Sequence, residues 1–357
     1  MADSQAVRAE DAFDVSTVHG WLAGRVDGLP AEPPEVTQFA GGASNLTYQL
    51  RYPGRDLILR RPPAGRKASG AHDMAREYRI QKGLAPVYPY VPAVLALCQD
   101  EAVIGGDFYV MERIPGTILR RRLPAGLTLD ADQGRVLSET FVDKLVELHQ
   151  VDPAATGLAD LGKGAGYVHR QVTGWTKRYR QARTWNVPRF ESVMDWLAEH
   201  EPADVGTCVI HNDFRLDNIV LAPDDSPNDE TLTVVGVLDW ELATIGDPLM
   251  DLGTSLAYWV QADDDRLFQA NRRQPSNLPG MLTRRQIVER YCAAMGLSAE
   301  NWAFYEVFGL FRLAAIAQQI YYRYHHKQTR NPTFRWFWVM VGYLGWRCGR
   351  IIAAQGH

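Results

Sequence analysis

The stretch His211-Asn212-Asp213-Phe214-Arg215-Leu216-Asp217-Asn218 reads H-x-D-x-x-x-x-N. A second segment follows it: Val234-Val235-Gly236-Val237-Leu238-Asp239-Trp240-Glu241, an apolar run that ends in carboxylates. Between the two lie a short strand pattern, Ile219–Leu221, and a polar turn. Phosphoryl transfer from a nucleotide asks for little covalent chemistry from a protein. It needs a carboxylate that orients the acceptor hydroxyl and takes its proton. It also needs oxygen ligands that hold Mg²⁺ against the phosphates. Asp213 suits the first task, and Asn218 and Asp239 suit the second. Their spacing lets Asp213 and Asn218 face one metal site from a single loop, and a strand then delivers Asp239 to it.

Each fragment alone says little. H-x-D is common, and a carboxylate after a strand is most often a turn former or a helix cap. The ordered combination is specific, because a kinase catalytic loop has the same Asp-to-Asn spacing and is followed by a metal-binding Asp.

Composition bounds the rest. The chain has 357 residues, 46% hydrophobic and 22% charged, with a formal net charge of −4. That length predicts two lobes, each able to bury its own core. A mildly acidic balance gives no general attraction to nucleic acid or to anionic membranes. Cys98, Cys208, Cys292 and Cys348 are scattered without a C-x-x-C pair. No zinc site or disulfide framework is expected, and a reducing cytoplasm is the expected location. The N-terminus lacks a basic-then-apolar signal pattern. The run Trp336 to Trp346 is shorter than the ~20 residues of a spanning helix.

From the N-terminus, a helix is expected around Val15–Ala23, then strands at Val36–Ala40, Leu46–Tyr52 and Leu57–Arg61. Gly41, Gly42, Ser44 and Asn45 link the first two strands. Glycines let backbone N–H groups approach a phosphate and Ser44 and Asn45 add donors, although Gly-Gly between strands also serves as a plain hairpin turn. The third strand ends in Arg60, where a kinase places a phosphate-contacting lysine. Alternation sends Arg61 to the other face, and Arg60 is the expected inward residue. Ser69 to Gly83 reads as a helix carrying Glu77, either paired with Arg60 or solvated. Further strands are expected at Val91–Leu97 and Asp107–Glu112. Arg113-Ile114-Pro115-Gly116 then breaks the pattern. The lobe boundary is placed there, giving a β-rich nucleotide-binding lobe over 1–113 and a helical catalytic lobe over 114–357. The backbone from Met111 to Arg113 is the expected edge for a nucleotide base, with Met111 as a core residue the alternative.

In the second lobe, Asp130 opens a core helix whose apolar positions are Val136, Leu137, Phe141, Leu145 and Leu148, with His149 structural near its end. Two more helices are expected over 170–200. Asp247 before Pro248 is an N-cap. Asp251, one turn along, is expected to hydrogen-bond the catalytic loop in a supporting role, with His211 holding the loop's shape. Thr283 to Gln286 is a capping box. A long helix is expected from about Ala299 to Tyr324, and Asn331-Pro332 starts the last one. Beyond Glu306 there is no acidic residue, while Arg312, Arg323, Lys327, Arg330, Arg335, Arg347 and Arg350 are interleaved with Tyr and Trp. Such a face favours an anionic ligand, unless these cations pair with the acids at 224–230 and 262–265.

Together, Gly41-Gly42-x-Ser44-Asn45, the Asp213/Asn218 loop, Leu238-Asp239-Trp240-Glu241 and Gly246-Asp247-Pro248-x-x-Asp251-Leu252 resemble the aminoglycoside phosphotransferase/choline kinase superfamily. The resemblance runs from about residue 36 to 350. It is closest to the phosphotransferase domain fused to some acyl-CoA dehydrogenases. It implies an α+β, protein-kinase-like two-lobed fold, use of ATP and Mg²⁺, and phosphorylation of a small-molecule hydroxyl. By residue it implies Asp213 as base, Asn218 and Asp239 as metal ligands and Arg60 as phosphate clamp. Arg60 stands where the superfamily has lysine, and Trp240-Glu241 stands where protein kinases carry Phe-Gly, which argues against a protein kinase. The fused relatives suggest a hydroxyacyl-CoA as acceptor and a functional link to an acyl-CoA dehydrogenase. The acid-free C-terminal segment argues against a polycationic aminoglycoside. Two other classes stay open: a metal-dependent hydrolase with His211, Asp213 and Asp239 as ligands, and an inactive nucleotide-binding module.

Overall fold

Strand β3 (Leu46–Tyr52) and strand β4 (Arg55–Arg61) form the hairpin on which the N-terminal sheet is built. They pair in register from Leu46 with Arg61 to Tyr52 with Arg55. The turn works because Gly54 takes φ +77°, open to glycine at little steric cost. These features belong to a computed structural model that describes residues 4–39, 45–63, 73–223 and 232–356.

The remaining strands are β1 (Ser4–Gln5), β2 (Glu35–Phe39), β5 (Val94–Cys98), β6 (Phe108–Glu112), β7 (Thr117–Ile118), β8 (Cys208–Ile210), β9 (Ile219–Leu221), β10 (Val234–Val237) and β11 (Thr244–Gly246). The helices begin with α1 (Val15–Ala23), α2 (Met74–Leu84), α3 (Glu101–Ile104), α4 (Ala131–His149), α5 (Tyr167–Ala182) and α6 (Glu191–Glu199). They continue with α7 (Pro248–Leu256), α8 (Arg266–Ala270), α9 (Arg284–Met295), α10 (Trp302–His325) and α11 (Phe337–Gln355). The chain folds as two compact units. One comprises residues 1–117 with 219–243, and the other 118–218 with 244–357. The segment 219–243 therefore packs with the N-terminal residues, across the expected division at 113/114.

The first unit is a six-stranded sheet in the order β1-β2-β3-β4-β6-β5, with every pairing antiparallel. One face packs Tyr48, Leu50, Leu57, Leu59 and Phe108 against Val18 and Leu22 of α1. The other packs Ile58, Tyr109 and Met111 with Met74 of α2. Side chains alternate along β4, so Arg61 points toward α1 and Arg60 toward α2. Both are buried. Arg61 donates to the Asp11 carbonyl and to the Tyr48 hydroxyl, a structural role. In the β9–β10 hairpin Ile219 pairs with Val237, so the chain enters β9 and leaves β10 at one end of it.

Two expectations for this unit concern where an element starts. Helix α2 starts at Met74, where Asp73 has extended backbone and its carboxylate caps the Arg76 N–H; the expected start at Ser69 lies outside the described residues. Strand β5 starts at Val94 rather than Val91, and its register against β6 shifts between Val94 and Ala96.

The second unit is helical. Asp130 and Gln133 form a reciprocal capping box that starts α4. Leu137, Phe141, Leu145 and Leu148 form its buried stripe, but Val136 is 50% exposed because it lies about a quarter-turn off that line. Helix α10 packs against α5, α6, α7 and α11. Its crossing with α7 needs glycine on both sides: a Cβ on Gly309 would sit 2.2 Å from the Gly253 carbonyl oxygen. Strands β8 and β11 pair and support the loop that begins at His211. All four cysteines are buried thiols. Among the described residues no helix is long and apolar enough to cross a membrane.

Candidate active site

In the helical unit, the loop after β8 is shaped by one buried carboxylate. Asp251, in the first turn of α7, accepts the His211 N–H at 2.7 Å and the Asn212 N–H at 2.8 Å. His149 Nε2 lies 3.1 Å from the same carboxylate, and its Nδ1 meets the Tyr291 hydroxyl. A carboxylate only accepts, so Nε2 carries a hydrogen. Burial alone would raise the Asp251 pKa, but the His149 hydrogen bond and its neighbours hold it below the usual carboxylate value. The next residue, Asn212, takes φ +63°, which is uncommon and costly for a residue with a side chain. It is pinned there by the Tyr167 hydroxyl on its side-chain oxygen at 3.2 Å and by Arg312 on its carbonyl at 2.9 Å.

Asp213 follows, half-buried. Its N–H donates to His211 Nδ1 at 3.2 Å. Asn218 turns its amide nitrogen toward Asp213, at 2.9 Å from the carbonyl and 3.1 Å from Oδ2. With the nitrogen so engaged, the Asn218 oxygen is the atom a hard cation would take. Arg215 Nη2 lies 3.3 Å from the same Oδ2 and its Nε 3.1 Å from Asp217. His211 is fully buried and its Nδ1 accepts the Asp213 N–H, as a residue that holds the loop's shape does.

In the sheet unit, Arg60 gathers three carboxylates. Its Nη1 is 3.1 Å from Glu77, and its Nη2 is 3.2 Å from Asp239 and 3.5 Å from Glu241. Burial alone would lower the Arg60 pKa, but these anions keep the guanidinium above its ordinary value. Glu77 is buried on α2 and also accepts the Tyr109 hydroxyl at 2.8 Å. Burial pushes its carboxyl up, against the pull of Arg60. Asp239, just beyond β10, takes φ +68°, another left-handed residue with a side chain. Asn45 donates to Glu241 at 3.0 Å. Gly41, Gly42 and Ser44 lie outside the described residues.

The expected base edge is partly committed elsewhere. Met111 is a buried strand residue paired with Ile58, and the N–H groups of Glu112 and Arg113 go to the carbonyls of Ala93 and Asp56. The Arg113 side chain bonds Asp56 at 3.2 Å. Among the C-terminal cations, Arg347 pairs with Asp264 and Asp265, and Arg312 is held by the loop. Glu241, Tyr167 and Asn212 were not singled out from sequence. The acidic Glu241 near Asp239 is visible in the sequence, but its link to Arg60 spans about half of the chain.

A lysine at position 60 reaches one carboxylate well, whereas the guanidinium fork reaches three. Arg60→Lys is expected to cost about 1.5–3 kcal/mol, the scale of one hydrogen bond between charged groups. Denaturant unfolding checks this, and unchanged stability would mean that Asp239 and Glu241 contribute nothing through Arg60.

The model of the phosphotransferase enzyme family matches residues 35–287. The chain is 38% identical to acyl-CoA dehydrogenase family member 10 of Mus musculus, over 93% of this chain and 30% of that protein. It is 34% identical to acyl-CoA dehydrogenase family member 11 of Homo sapiens, over 90% of this chain and 41% of that protein. The chain thus spans less than half the length of these relatives. Among solved structures, a Ralstonia eutropha protein assigned to the aminoglycoside phosphotransferases matches with TM-score 0.78 at 30% identity, covering 95% of this chain and 99% of that one. Choline kinase of Cryptosporidium parvum matches in fold alone, with TM-score 0.59 at 12% identity over 96% and 97%. The fold is therefore the kinase-like α+β type, and the chain belongs to the phosphotransferase enzyme family.

Proposed function

We propose that this chain transfers the γ-phosphoryl group of ATP, with Mg²⁺, to the hydroxyl of a small anionic metabolite, a hydroxyacyl-CoA. The observation that carries the reading is the Asp213–Asn218 pair: a partly exposed carboxylate whose neighbour leaves an amide oxygen for a cation. In this reading Asp213 orients the acceptor hydroxyl and takes its proton as the new O–P bond forms and the bond to ADP breaks. Asn218 and Asp239 are the oxygen ligands for Mg²⁺, which when bound neutralises charge on the phosphate oxygens. Both donors are oxygens, the type a hard cation selects. Arg60 steadies the phosphates from its seat on Glu77, and Gly41, Gly42, Ser44 and Asn45 supply donors to them. Asp251 and His211 fix the loop and touch no reactant.

The acceptor class rests on two supports. The curated relatives are named as acyl-CoA dehydrogenases, which also motivates a functional link to such an enzyme. The C-terminal segment has no acids after Glu306, and its Arg323, Lys327, Arg330 and Arg335 stand apart from the pairing of Arg347 with Asp264 and Asp265 and of Arg312 with the loop. An ADP-release assay on hydroxyacyl-CoAs and on kanamycin-type aminoglycosides tests the reading. Turnover of the acyl-CoAs is expected. Turnover of the aminoglycosides alone would overturn the anionic acceptor, and no ADP from either would favour the inactive nucleotide-binding module.

A further inference from the structure

The helical unit contains a cavity of about 300 Å³ that none of the assigned roles uses. That volume is at the lower end for small-molecule sites. One wall is a single stripe of α10, Leu313, Ile316, Ala317 and Ile320, at helical spacing. The stripe runs about 10 Å along the helix. Phe337 and Met340, one turn apart on α11, face the same space. Apart from Ala317, these side chains are only half-buried, although they sit on two helices packed together. Apolar surface left uncovered in that way favours an apolar occupant.

The cavity has a direction. Arg312, next to Leu313, holds the Asn212 carbonyl, so the Leu313 end of the stripe adjoins the catalytic loop. Ile320 lies two turns farther away. Arg215 also lines the cavity and is 3.3 Å from the Asp213 carboxylate. Its guanidinium stacks over the Tyr258 ring at 4.7 Å. The charged lining residues are Arg215 and Arg273 against Asp217, a balance that suits an anionic head and not a polycation.

We propose that this cavity seats the aliphatic chain of the acceptor, and that its depth from Leu313 to Ile320 selects the chain length. The inference rests on the phosphotransferase reading above and adds to it the site that reads the acyl group. The occupant is a straight hydroxylated acyl chain with a negatively charged head, as the free acid or as its CoA thioester. Ile320 acts as the specificity determinant, and the chemistry stays with Asp213.

Calorimetric titration of the whole chain with hydroxyacyl-CoAs and the matching free acids, from hydroxybutanoyl to hydroxydodecanoyl, reads this directly. Affinity is expected to rise about fourfold per methylene until the trough is full and then to level off. Ile320→Trp shortens the trough and moves the plateau to shorter chains, while Ile320→Ala lengthens it and moves the plateau to longer ones. Opposite shifts cannot arise from a general loss of fold. Affinity independent of chain length in the wild type, or a plateau that neither substitution moves, overturns the proposal. ADP release run in parallel separates the two readings. Chain-dependent binding without ADP release leaves this site standing and removes the phosphotransferase function. ADP release without chain dependence does the reverse. If only the thioesters bind, the anionic head is the CoA; if the acids bind equally well, it is the carboxylate.

Discussion

Replacement of Asp213 by asparagine is expected to lower kcat by about 10³-fold or more, with the KM for ATP little changed. The substitution keeps the shape of the side chain and removes its basicity. An amide oxygen at position 213 can still accept the hydrogen bond that Asn218 now gives to Oδ2. Arg215 keeps its second carboxylate, Asp217. The loop above Asp251 is untouched, since its two anchors are the N–H groups of His211 and Asn212. What is lost is the acceptor for the hydroxyl proton and the charge that aligns the hydroxyl for attack. A group that acts only in the transition state lowers kcat and kcat/KM by the same factor. Steady-state ADP release, with ATP binding measured separately, checks this. Normal turnover by Asp213→Asn, with ATP still bound, would assign proton acceptance to another residue. Loss of ATP binding along with turnover would point to a disturbed fold instead.

How far the sequence reached depended on the range of the interactions involved. Local rules carried a long way. The cap at Asp247 with Pro248 behind it, the box at Asp130 and Gln133, and strand β9 at Ile219–Leu221 each depend on residues within a turn or a ladder of one another. The tandem Arg60 and Arg61 shows where such rules stop. Alternation separates their faces, but both side chains are buried, and only the tertiary partners show that Arg61 serves Tyr48 and Asp11 while Arg60 serves the carboxylates. Val136 failed for a related reason. Two adjacent apolar residues satisfy a helical period almost equally, and packing alone decides which one faces inward. Asn212 and Asp239 are of the residue types that enter the left-handed region most readily after glycine, but the text does not say which Asn or Asp does so, and at Asn212 the turn is held by the distant Tyr167 and Arg312. The cavity beside α10 was equally hidden. That helix is apolar on more than one face, so the sequence does not distinguish the stripe that packs from the stripe that stays open.

Asp251→Ala is expected to destabilise the helical unit by about 3–5 kcal/mol, the cost of breaking a buried charged network from one side. The wild-type carboxylate is completely buried and takes two backbone N–H groups and His149. Alanine leaves all three donors without an acceptor in the interior, at about 1–3 kcal/mol for each buried group. Thermal unfolding of the variant should start about 10 °C lower, given roughly 2–4 °C per kcal/mol for a unit of this size. The sign of the pH dependence follows from the direction of the shift. Asp251 has a lower pKa folded than unfolded, so its contribution is present above the unfolded value of about 3.9 and is lost as pH falls through the folded one. The stability gap between wild type and Asp251→Ala should therefore be full at neutral pH and narrow in acid. A gap that widened on acidification would mean that burial outweighs the His149 hydrogen bond and that the group is held neutral. Turnover should fall with stability. Asn212 keeps its left-handed turn against a local penalty of about 1–3 kcal/mol. Once its N–H loses Asp251, that turn, and with it the aim of Asp213, keeps the Tyr167 and Arg312 contacts but not its anchor on α7. Residual activity near the wild-type level in a protein that melts well below it would separate the two roles, leaving Asp251 as a stabiliser of the fold that does not set the geometry of the base.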